Sequence, residues 1–165
     1  MSEKKRTVKP VDIAKIDFSP FGEHRRLTNV PDFFHKENYT CWIDFKKFLS
    51  GDWMMGYVEA GLLPEKSVTM EKHKRDCSLM ICGEYPMVLP LAPAGDPLRE
   101  DEDPDADAVT AVIMYPGDVA LLKAGVWHDA CYGIEHPIHY HFMSKVYDTD
   151  IIVHELKPSA VYYEL

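Results

Sequence analysis

The side chains able to do chemistry fall in three short stretches. In Ser67-Val68-Thr69-Met70-Glu71-Lys72-His73, strand alternation puts Thr69, Glu71 and His73 on one face and Val68 and Met70 on the other. A carboxylate and an imidazole two residues apart on one face can pass a proton between them or hold a common ion. The same pattern also suits a strand whose polar face meets solvent. In Gly117-Asp118-Val119-Ala120-Leu121-Leu122-Lys123-Ala124-Gly125-Val126-Trp127-His128, two glycines bracket a short apolar run. His128 stands where the next strand begins. In His136-Pro137-Ile138-His139-Tyr140-His141-Phe142, His139 and His141 share one face and Ile138, Tyr140 and Phe142 the other. That histidine pair suits metal ligation, hydrogen-bonded orientation of other groups, or a polar barrel lining.

The elements that must position these residues read as short strands. Strand-like runs recur at 40–45, 54–60, 66–73, 78–82, 85–91, 108–114, 138–145, 150–156 and 161–163, each ended by Gly, Pro or charge. Val8 to Asp17 opens the chain as an edge element, followed by the turn Phe18-Ser19-Pro20-Phe21-Gly22-Glu23. Around Pro31-Asp32-Phe33-Phe34-His35 the pattern is irregular, and its aromatics are expected to cap one end of the core. The acidic stretch 94–107 offers only Leu98 to a core and lacks the spacing of an EF-hand, so it reads as a solvated loop. With no sustained helical period, the fold expected is a single all-β domain over 1–165, a sandwich or barrel able to enclose one small ligand.

At 165 residues the chain is long enough to bury a core. Its net charge of −9 argues against nucleic acid or an anionic membrane as a partner. No apolar run is long enough for a membrane span, and no signal core follows the N-terminal charges, which implies a cytoplasmic location. Cys41, Cys77, Cys82 and Cys131 show no CxxC pairing, so reduced thiols are expected.

Gly117, Lys123-Ala124-Gly125 and His128 keep the spacing of the second motif of the cupin barrel, with Lys123 in place of its proline and Tyr132 in place of its asparagine. Glu71 and His73 resemble the HxH pair of the first motif, and Cys77 falls where its glutamate belongs. Within the cupins the chain resembles the ureidoglycolate lyase family, also called ureidoglycolate hydrolase. Phe18-Ser19-Pro20-Phe21-Gly22-Glu23, Glu71-Lys72-His73 and Gly125-Val126-Trp127-His128 carry that likeness in the same order. The resemblance implies a cupin-type β-barrel or jelly-roll sandwich, a homodimer, and a lyase that cleaves a small anionic substrate, ureidoglycolate or a related hydroxy or ureido acid, to glyoxylate and urea.

On that resemblance the catalytic residues are Glu71, His73 and His128. A histidine acts as base, and Glu71 acts as partner acid, its pKa raised by burial, or as orienting group. Lys123, Trp127, His139 and His141 are the expected substrate-binding residues, with Lys123 neutralising the carboxylate. Glu71, His73, Cys77 and His128 could ligate a divalent zinc, manganese or iron ion, and a metal-free acid-base site is the alternative. Cys77-Ser78-Leu79-Met80 and Asp129 depart from the family pattern and bear on the substrate. Two other functions fit the same residues: a cupin isomerase or epimerase acting on a sugar or sugar acid, and a non-catalytic small-acid-binding barrel.

Overall fold

The computed structural model describes residues 5–44, 52–75, 78–145 and 151–165. Its strands begin with β1 (Arg6–Val8), β2 (Val11–Asp12), β3 (Gly22–Arg26), β4 (Phe33–Lys36), β5 (Tyr39–Trp42) and β6 (Trp53–Ala60). Next come β7 (Lys66–Ser67), β8 (Thr69–His73), β9 (Ser78–Ile81), β10 (Met87–Ala92) and β11 (Thr110–Met114). The series ends with β12 (Asp118–Leu122), β13 (Trp127–His128), β14 (Tyr132–Gly133), β15 (Ile138–Lys145), β16 (Ile151–Glu155) and β17 (Val161–Tyr163). The described helices are single 3-10 turns at Ile13–Lys15, Leu27–Asn29 and Ala106–Ala108, none long and apolar enough to cross a membrane. The protein is mostly β, as the short alternating runs predict.

Three sheets stack. The largest runs β16-β8-β13-β10-β11-β2, with β14 joined to β10. Its inner face meets a five-stranded sheet of order β3-β12-β9-β15-β6. Leu89, Leu91, Val112 and Met114 from the first interdigitate with Met80, Ala120, Leu122, Ile138 and Tyr140 from the second. Its outer face is covered by β1-β17-β7, where Met70, Val88, Ala111, Trp127 and Ile152 pack with Val8 and Val161. Having both faces covered explains why β10 is buried along its whole length and carries no polar alternation.

The turns around β12 follow from glycine. Gly117 and Gly125 sit at φ +92° and +80°, where a side chain is strained. A Cβ on Gly125 would also come 3.0 Å from Pro97, so the acidic stretch packs directly against the turn that leads to His128.

Three sequence expectations need correction. The stretch 94–107 is not simply solvated: Ala106 is 1% exposed, whereas Leu98, the expected anchor, is 66% exposed. Its carboxylates have local partners, because Glu102 pairs with Lys72 at 2.8 Å, Glu100 with Lys74 at 2.5 Å and Asp103 with His154 at 2.8 Å. Phe33 and Phe34 do not cap the core. They lie on a two-stranded hairpin of β4 and β5 and remain exposed. Val68 is likewise exposed, since β7 ends at Ser67 and β8 begins at Thr69; it is Met70 and Lys72 that face the outer packed layer.

Candidate functional site

Strand register brings the chemistry together. β13 pairs antiparallel with β8 so that His128 stands opposite Glu71, and β10 places Leu91 opposite His128. Cross-strand partners share a face. Leu91 belongs to the inner core, so Glu71 and His128 face the inner layer too, and strand alternation adds His73. The two imidazoles stack with centroids 5.3 Å apart and planes at 29°, and Glu71 Oε1 lies 3.4 Å from His128 Nε2. Glu71, His73 and His128 each present a donor atom, all within 4.8 Å of one another. Cys77, the fourth expected ligand, lies outside the described residues.

The protonation pattern of His128 follows from its partners. The ring is buried, and its Nδ1 lies 3.1 Å from the Val126 carbonyl, which can only accept, so Nδ1 carries the proton. Nε2 therefore turns a lone pair toward Glu71 when the ring is neutral. It is also a buried nitrogen without a hydrogen bond: at 3.4 Å the Glu71 contact is long and poorly directed, an electrostatic pairing more than a bond.

An orphaned, tautomer-fixed nitrogen beside a carboxylate and a second imidazole is what a divalent ion needs. Two donors each about 2.0–2.1 Å from one tetrahedral ion stand about 3.4 Å apart, which matches the Glu71–His128 separation. The mixed oxygen and nitrogen donor set suits zinc, manganese or iron. With His73 beside them, the three residues could hold a metal ion.

Glu71 is a poor candidate for the neutral acid. The adjacent His128, and His73 to a lesser degree, hold its carboxyl below the usual glutamate value, with burial opposing them. The expectation that burial raises Glu71 is overturned by its neighbours. An ionised Glu71 serves as a ligand or as an electrostatic partner for imidazolium.

The other expected residues do not join the triad. Trp127 alternates with His128 and points into the outer layer, where the buried Lys72 ammonium lies 4.6 Å from its ring. That ammonium is 0% exposed and also donates to the Asp96 carbonyl at 3.0 Å. Lys123 directs its ammonium to the Ser19 carbonyl. His139 and His141 sit on the outer side of the five-stranded sheet, flanking Tyr57 at ring separations of 5.6 and 5.4 Å. Bulky Ile138, Tyr140 and Phe142 take the inner side instead.

Sequence reasoning missed two groups. Tyr140, read only as an apolar residue, reaches the inner layer. Burial raises its phenol pKa, and the Glu71 charge adds to the rise. Its oxygen accepts the Cys131 N–H at 3.3 Å. Asp118, 0% exposed, accepts from Arg26 Nε and Nη2 at 2.8 Å each, pairs with His24 Nε2 at 3.0 Å, and accepts the Tyr115 N–H at 2.8 Å. An aspartate directly after Pro-Gly, able to turn back on the preceding backbone, was its only sequence signal.

No protein-family model matches this chain, and no curated protein matches it.

Proposed function

We propose that this protein is a cupin-type, metal-assisted lyase of small hydroxy or ureido acids, with ureidoglycolate as the reference substrate. The observation that carries the reading is the convergence of His128 with Glu71 and His73, which lie far from it in sequence, on one inner face. A divalent ion held by His128 Nε2, a Glu71 oxygen and a ring nitrogen of His73 would act as a Lewis acid on the substrate hydroxyl. The chain's own groups do the rest. The Val126 carbonyl fixes the His128 ring, ionised Glu71 balances positive charge, and the part-exposed Glu71 and His73 leave the substrate an approach from solvent.

Ureidoglycolate is a carbinolamide. As its C–N bond breaks, the hydroxyl gives up its proton to form the aldehyde of glyoxylate, and the departing nitrogen takes up a proton to give urea. The proposed assembly is a homodimer in the cytoplasm, and the uncovered apolar hairpin Phe33, Phe34, Tyr39 and Trp42 gives a second copy somewhere to dock.

The test is direct: protein loaded with Zn²⁺, Mn²⁺ or Fe²⁺ is incubated with ureidoglycolate and assayed for urea and glyoxylate. Release by wild type, and its loss in Glu71→Gln and His128→Ala, supports the reading. Release that is equal in both variants removes the triad from it.

A further inference from the structure

The strand beside the triad leaves apolar surface uncovered where a packed layer would hide it. β16 runs antiparallel to β8 with Ile151 opposite His73 and Val153 opposite Glu71. Paired residues share a face, with Cβ atoms about 5 Å apart. Ile151 and Val153 therefore stand beside the imidazole and the carboxylate on the inner side, yet they are 56% and 59% exposed. Ile152, between them, is buried in the outer layer.

The facing sheet repeats the pattern. Ile138 and Tyr140 pack in the inner core with Leu89 and Leu91, so the inner face of β15 looks toward the sheet that carries β8. On that face Phe142 lies over Gly56, where a Cβ would collide with the ring. Met54, two residues before Gly56 and on the same face of β6, is 43% exposed. The part-exposed Glu71 and His73 thus have the exposed Ile151 and Val153 beside them on β16, with the Thr69 hydroxyl on the same face of β8 and Ser144 opposite Met54 on the facing sheet.

We infer that the substrate is a carbinolamide carrying an apolar group. The class is an N-acyl-2-hydroxyglycine, whose carboxylate and hydroxyl would reach the ion held by Glu71, His73 and His128 while its acyl chain lies on Ile151 and Val153. This rests on the proposed lyase reading and narrows it, because ureidoglycolate has a polar ureido group where the acyl chain would be. Cleavage breaks the same C–N bond. The hydroxyl proton is lost as the aldehyde forms, the nitrogen gains a proton, and the products are glyoxylate and a primary amide.

The experiment uses N-acylglycines, which lack the hydroxyl and cannot be cleaved. Zn²⁺-loaded protein is titrated calorimetrically with N-acetyl-, N-butanoyl- and N-hexanoylglycine, and glyoxylate release is followed in parallel from ureidoglycolate and the matching N-acyl-2-hydroxyglycines. Affinity should rise about fourfold per methylene covered. Ile151→Asn and Val153→Asn, both at solvent-exposed positions, should flatten that rise. A flat series in wild type overturns the inference, and if ureidoglycolate is still cleaved the lyase reading survives it. Loss of all binding and all turnover defeats both. A shift of Ile151→Asn or Val153→Asn from dimer to monomer assigns the rim to a second copy and overturns the inference as well.

Discussion

Replacing Asp118 by asparagine removes a negative charge from the end of β12 while nearly preserving shape. Burial pushes the carboxyl up, but the His24 and Arg26 hydrogen bonds and the Tyr115 N–H outweigh it and leave it at about 2, against an ordinary 3.8. A carboxyl held that far down contributes about 2.5 kcal/mol to stability at neutral pH. The sign is fixed by the direction of the shift: the contribution is complete above about pH 4 and vanishes as the pH falls toward about 2. Leaving Arg26 and His24 without their counter-charge adds to the cost, so Asp118→Asn should lose about 3 kcal/mol at pH 7. Urea unfolding of both proteins at about pH 7, 4, 3 and 2, with slopes compared, measures the gap. The gap should hold between about pH 7 and 4 and then shrink by about 2 kcal/mol. A gap that stays constant through the acid range, or an asparagine variant as stable as wild type at pH 7, refutes the argument.

Because its neighbours hold Glu71 below the usual glutamate value, Zn²⁺ affinity read by isothermal titration between about pH 4 and 8 should show no step at the ordinary carboxylate pKa that is absent in Glu71→Gln; such a step refutes the ionised-ligand role. Removing the Glu71 ligand by Glu71→Gln should lower Zn²⁺ affinity at least about tenfold with little change in the unfolding midpoint of the metal-free protein, as read by chelator competition and thermal melting. Glu102→Gln should cost about 2–3 kcal/mol, because it leaves the fully buried Lys72 ammonium short of its counter-charge, whereas Lys72→Met should cost less; paired denaturant melts rank the two.

Strand positions were legible because period-two alternation survives wherever one face is packed. β6, β15 and β17 lie almost where the pattern of 54–60, 138–145 and 161–163 predicts them. The shared face of Glu71 and His73 was legible for the same reason. The meeting of His128 with Glu71 was not, because antiparallel register between β8 and β13 is set by turns far from either residue. The His139/His141 pair exposes the limit of alternation: it says which residues share a face, not whether that face turns in or out. Lys72 misleads in another way, since a lysine between two polar residues looks solvated until Glu102, Asp96 and Trp127 gather around it from other segments.

Lys72 also divides the labour along β8. It and Met70 fasten the strand to the rear layer, while Thr69, Glu71 and His73 project forward. Evolution or a mutagenesis library can therefore rewrite the front row without repeatedly crossing the unfolding threshold, which makes this strand a natural place to vary the chemistry of the candidate site.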